Sequence, residues 1–109
     1  MTINNKEYRL KYTFRALMLF EQITNKMFNI ESLSDELVFF YCILLASNPD
    51  DTMTFDEFMD SVDDNPTLLV QFQQFLADEA SKRNVYGKVE DNEKKKSLTV
   101  TEIYQTLVI

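Results

Sequence analysis

The chain contains no histidine. The commonest general base near neutral pH is therefore missing, and with it every Ser-His, Cys-His or His-metal arrangement. The single glycine, Gly87, stands in a lysine-rich stretch, so there is no glycine-rich loop to cradle a phosphate. The single cysteine, Cys42, has no partner for an intramolecular disulfide and sits in an apolar run. This fits a buried thiol in a reducing compartment better than a reactive one, since nothing basic lies near it in sequence to lower its pKa. Long apolar runs are absent too: the longest, Leu37 to Ala46, has ten residues, against the roughly 20 that span a bilayer. Met1 to Lys11 is polar and basic, unlike a signal peptide. A cytoplasmic location is expected, with no membrane partner.

These absences remove the usual parts of hydrolases, kinases, dehydrogenases and zinc enzymes. The expectation is a protein with no catalytic, cofactor-binding or metal-binding residues. Scattered carboxylates with no recognisable pairing read as surface. One near-motif tests that reading. Asp50 to Phe58 (DDTMTFDEF) looks like the second half of an EF-hand loop, with Met53 at the central apolar position and Glu57 as last ligand. Counting back from Glu57 puts the first ligand position on Ala46 and the required glycine on Asp51, so the loop is broken at two decisive places. A turn followed by a capped helix start accounts for the same residues.

What is present is material for a core. The 109 residues are 45% apolar and include nine phenylalanines and five tyrosines, enough for one domain that buries about two-thirds of its unfolded surface. The net charge of −7 hides a segregation. Residues 1–15 carry four basic and one acidic side chain, residues 16–81 one basic and thirteen acidic, and residues 82–109 six basic and four acidic. An acidic middle repels phosphate backbones, so no nucleic-acid partner is expected. The pattern is either a solvated acidic face or the basis of charge-guided contacts between basic ends and acidic body, which leaves a homo-oligomer open.

Along the chain, Glu7 to Tyr12 alternates charged and apolar residues and predicts a short half-buried strand or extended arm. Thr13 caps a helix running to about Lys26, with Phe14, Leu17, Met18, Phe20, Ile23 and Met27 in two adjacent stripes. Glu21 beside them is either solvated or paired with Arg15 or a partner. Ser34 starts a second helix that is apolar on all sides and ends at Asn48-Pro49. Such a helix must be central, or partly covered by another chain. Thr54 and Glu57 form a capping box for a third helix holding Phe55, Phe58, Met59 and Val62. Asn65 caps a fourth with Pro66 at its first position, lined by Leu69, Phe72, Leu76 and Ala80, with Leu68 and Phe75 beside them.

The organisation expected is a helical domain over 1–86, a polar linker over 87–97 and an amphipathic helix over 98–109, capped by Thr99 with Glu102. In that last segment Val100, Ile103, Tyr104, Leu107 and Val108 follow helical spacing and are the candidate protein-binding residues. The fold class is mainly α: a small bundle of four to five helices with a short N-terminal strand or arm.

Four pieces carry a resemblance: Tyr12-Thr13-Phe14-Arg15-Ala16-Leu17 leading to Phe20-Glu21, Phe39-Phe40-Tyr41-Cys42, Thr54-Phe55-Asp56-Glu57-Phe58, and Leu98 to Leu107 (LTVTEIYQTL). Together they resemble the tail assembly chaperones of long-tailed bacteriophages and related prophages, over residues 8–80 and 98–109. The resemblance implies a small acidic helical protein, working in the bacterial host, that coats the hydrophobic tape measure protein, keeps it soluble and recruits tail tube subunits. In that family a longer product often arises by frameshifting, and Lys94-Lys95-Lys96 could be encoded by a slippery run. A different class of reading is an acidic adaptor or DNA-mimicking inhibitor, which needs one continuous stripe of carboxylates.

Overall fold

The computed structural model describes the backbone of residues 1–95 and the side chains of residues 1–82. Among the described residues the chain is mainly helical, with four helices and one two-stranded antiparallel sheet. The chain divides into two units, Met1–Phe72 and Gln73–Ile109.

The first unit opens with a hairpin that lies mostly before the stretch whose periodicity predicted a strand or arm. Strands β1 (Thr2–Ile3) and β2 (Lys6–Glu7) pair antiparallel, Thr2 with Glu7 and Ile3 with Lys6. Asn4 and Asn5 between them both have positive φ, 53° and 65°. That is the requirement of a two-residue type I′ turn, which asparagine tolerates better than most residues. The Tyr8 N–H donates to Met1 O (2.7 Å), extending the ladder by one pair. The expected Glu7–Tyr12 strand or extended arm appears as both: Glu7 ends β2, Tyr8 pairs with Met1, and residues 9–12 continue as an arm.

Helix α1 (Phe14–Thr24) is capped by Thr13, whose hydroxyl accepts from the Ala16 N–H. It stops two residues short of the expected Lys26 because Asn25 takes the left-handed conformation that ends helices. Helix α2 (Leu33–Ser47) begins at Ser32, not Ser34. The Ser32 hydroxyl accepts from the Asp35 N–H (3.1 Å), and Asp35 then faces the preceding loop, where its Oδ2 accepts from Lys26 Nζ (2.9 Å) and the Glu31 N–H (3.0 Å). A tertiary tie of that kind selects between two equally good capping serines. Helix α3 (Phe55–Asp64) carries the reciprocal Thr54–Glu57 capping box. Helix α4 (Thr67–Lys95) follows a turn in which the Leu68 N–H bonds Asn65 O and the Leu69 N–H bonds Pro66 O, so the helix starts one residue after the expected proline.

The core of the first unit is aromatic and centres on α2. Phe39, Phe40, Cys42 and Ile43 are fully buried. Phe39 meets Tyr12, Phe20 and Phe28 edge to face, while its neighbour Phe40 meets Phe58 edge to face. Each also meets Phe72. Edge-to-face pairs satisfy the ring quadrupoles and add roughly 0.5–1.5 kcal/mol beyond burial. The expectation of a central α2 therefore holds, with Leu37, Val38, Tyr41, Leu45 and Ala46 half-buried on its other sides.

In the second unit the linker expectation meets a correction. Helix α4 continues through Gly87 to Lys95. One glycine costs about 1 kcal/mol against alanine, and the stretch around it is rich in lysine and glutamate, which are good helix formers, with no proline. Residues 96 and 97 lie outside the described residues. Along α4, Phe72, Leu76 and Ala80 are buried as expected, but Leu68 takes the buried place expected of Leu69, which is half-buried.

Candidate protein-binding surface

The five residues expected to dock a partner, Val100, Ile103, Tyr104, Leu107 and Val108, lie outside the described residues. The surface that can be built side chain by side chain is on α1. Its core side presents Ala16, Leu17 and Phe20, all buried. With about 100° between successive residues, Phe14 and Met18 turn away from that side, and they are 80% and 59% exposed. Arg15, Met18, half-buried Leu19 and Gln22 line a shallow depression on the same side. Ile23 lies on its flank, and Met27, in the loop after the helix, is 84% exposed.

Two carboxylates hold that loop in shape. Glu21 is exposed, as the solvated alternative expected, and its Oε2 also accepts from the Phe28 N–H (2.9 Å). Asp35 Oδ2 takes the two donors already described, with its side chain only 10% exposed. The Lys26 ammonium, then the Glu31 N–H, hold the Asp35 carboxyl below the usual carboxylate range. Phe28 is anchored between Phe20 and Phe39 at centroid distances of 5.0 and 4.7 Å. Met27 is thereby displayed between two fixed residues. Methionine is soft and adaptable, which suits a surface that meets irregular apolar partners.

Sequence reading counted Phe14, Met18, Ile23 and Met27 among packing stripes and missed their exposure. A signal was available. Ala16, Leu17 and Phe20 already form a stripe sufficient for one side of an eleven-residue helix, and Thr13 as the cap fixes Phe14 at the first position, on another face.

The remaining reactive groups are committed elsewhere. Burial pushes the Cys42 thiol up to about 12, as expected of a structural cysteine. Burial also raises Tyr41, whose hydroxyl donates to Met53 O (2.7 Å) and straps the 48–54 loop. Glu57 Oε1 accepts from the Thr54 N–H within its cap, and Asp51 pairs with Lys6 (2.6 Å). Among the described residues no group of three or more His, Cys, Asp or Glu is arranged to hold a metal ion. No helix among them is long and apolar enough to cross a membrane.

The acidic residues of α3 do gather. Asp56, Asp60, Asp63 and Asp64 follow i, i+4, i+7, i+8 and are all exposed. No family model, curated protein or solved structure matches this chain.

Proposed function

We propose that this chain is a non-catalytic protein-binding factor of the tail assembly chaperone type, which binds the tape measure protein of a long-tailed bacteriophage and promotes assembly of the tail tube. The outward apolar side of α1 is the observation that carries the reading. Burying a large apolar side chain is worth roughly 1.5–3 kcal/mol, yet Phe14, Met18 and Met27 are left in water while the same sequence fills a dense aromatic core beside them. Phe14 and Met18 stand one helical turn apart on α1, and exposed apolar side chains grouped in this way suit a surface that another protein covers. The hydrophobic tape measure protein is the client that the sequence resemblance implies. The charge segregation and the missing catalytic residue types agree with that role.

The test is co-expression with a tape measure protein from the same genome. The intact chain is expected to keep the client soluble and to co-purify with it. A Phe14→Ser, Met18→Ser variant with unchanged melting temperature is expected to lose the client. Retention by this variant moves the docking site off α1, and failure of the intact chain to bind any tape measure fragment ends the proposal.

The acidic row on α3 favours a second reading, a DNA-mimicking inhibitor. A ten-residue helix is about 15 Å long, which matches only four or five base-pair steps of about 3.4 Å. That is short for a duplex mimic, so this reading ranks second. Inhibition of a nucleic-acid enzyme, lost in an Asp60→Asn, Asp64→Asn variant, would reverse the order.

A further inference from the structure

The arm over residues 8–12 is fastened at Arg9 and Lys11 along one edge and at Tyr8 along the other. The Arg9 N–H donates to Asn48 Oδ1 (2.9 Å), and Asn48 Nδ2 donates back to Arg9 O (3.0 Å). The Lys11 N–H donates to Ser47 Oγ (2.9 Å), which donates to Lys11 O (3.5 Å). Backbone groups two residues apart that face the same neighbour define an extended chain, in which the residue between them faces the opposite edge. Tyr8 uses that opposite edge for its reciprocal bonds with Met1. Leu10 shares the edge, and its N–H and C=O make no hydrogen bond among the described residues.

The two faces of the arm differ as sharply as its two edges. Tyr8, Leu10 and Tyr12 are buried or half-buried on one side, while Arg9 and Lys11 are exposed on the other. With Arg15 they are cations that make no ion pair among the described residues, unlike Lys6, Lys26 and Lys82. Two independent features thus coincide among the described residues: an unpaired strand edge at Leu10 and a positive face with no ion-pair partner.

We propose that this arm is a strand-addition site for an extended segment of a partner protein in which acidic and apolar residues alternate. Pairing at Leu10 supplies two main-chain hydrogen bonds, as when a peptide extends a sheet edge. It also fixes the side-chain alternation of the incoming strand. Every second residue falls on the face of Arg9 and Lys11, where a carboxylate is favoured, and the residues between fall beside Leu10 and Tyr12, where an apolar side chain is favoured. A nucleic acid could answer the charge but offers no main-chain amide edge to pair with Leu10. This site is separate from the outward side of α1 and stands or falls independently of it.

The test is titration of the full-length chain, followed by amide NMR and hydrogen exchange. The probe is a short capped peptide alternating glutamate and valine. Comparison probes are a lysine–valine counterpart, a glutamate–valine peptide of shuffled order, and a single-stranded oligonucleotide. Binding of the alternating acidic peptide, slowed exchange at the Leu10 amide and weakening by salt are expected. An Arg9→Glu, Lys11→Glu variant is expected to bind at least about tenfold more weakly. Arg9→Ala, Lys11→Ala serves as the milder variant should the charge reversal melt early. Equal binding of the shuffled peptide overturns the proposal, as does stronger binding of the oligonucleotide, or perturbation confined to α1 or α3.

Discussion

The rings of Phe40 and Phe72 lie parallel, 3° apart in plane and 4.4 Å apart between centroids. Both are fully buried, and the pair joins the middle of α2 to the first two turns of α4. Phe72→Ala is expected to cost about 3–5 kcal/mol, the usual penalty for emptying a buried phenylalanine site. Phe14→Ala, at an 80% exposed position, is expected to stay within about 0.5 kcal/mol of the parent. Urea denaturation of the two variants checks both values, and similar losses would mean that Phe14 is not on a free surface.

Removing the Thr54 hydroxyl tests the capping box. Thr54→Ala leaves the Glu57 N–H without its 3.1 Å acceptor and is expected to destabilise by about 1 kcal/mol. Thr54→Ser, which keeps the oxygen, is expected to recover most of it. A difference in thermal midpoint between the two substitutions is the readout.

Asp35 sets a pH dependence. Its folded-state pKa is lowered by the Lys26 ammonium and the Glu31 N–H, so the folded state binds its proton more weakly than the unfolded state does. The resulting stabilisation is fully present above the unfolded value of about 3.9 and is lost as pH falls through the lower folded value. Asp35→Asn is expected to be less stable near neutrality and to show a shallower decline below about pH 4. Parallel acid limbs for parent and variant would remove Asp35 from the account.

The thiol of Cys42 is expected to be inert in the folded state. It is fully buried and its pKa is raised to about 12, so almost no thiolate exists at neutral pH. Labelling by a thiol reagent should proceed only at the rate of unfolding and jump on addition of denaturant. Rapid labelling of the native protein would contradict the burial.

Calcium is expected to leave the melting temperature unchanged at millimolar concentration. The carboxylate that would close an EF-hand, Glu57, already accepts from its own helix start at 2.9 Å. A clear upward shift would show that the ion displaces that bond.

Local chemistry made much of this fold legible before any coordinates. Thr13, the Thr54–Glu57 box and Asn48-Pro49 gave helix boundaries because each acts on backbone groups within four residues of itself. The all-round apolar run from Leu37 to Ala46 had to be central, and Phe39 and Phe40 are. The errors arose where a choice depended on something distant or on competing local terms. Ser32 and Ser34 are equivalent as caps until the loop reaches Asp35. Asn4-Asn5 carries a turn signal weaker than one with glycine, and the strands it joins are two residues each, too short to show a period. Gly87 suggested an end that its helix-forming neighbours outweigh. The surface on α1 was hidden for a different reason: Phe14 and Leu17 have the same composition signal, and only the rotation fixed by the cap separates an outward residue from a core one.

The double clasp on Arg9 by Asn48 has a consequence for how the protein is made. Its partners are 39 residues apart in the chain, so a ribosome adding about 5–20 residues per second delivers Asn48 roughly 2–8 s after Arg9. Throughout that interval the Arg9 and Lys11 edge of the nascent arm lacks its partners. Asn48 also closes α2 through its bond to Leu44 O, so the clasp becomes available only when that helix has wound to its end. Fastening of the N-terminal arm at Arg9 therefore follows the winding of α2 in biosynthesis, while Phe58 and Phe72, which complete the aromatic centre, arrive later still.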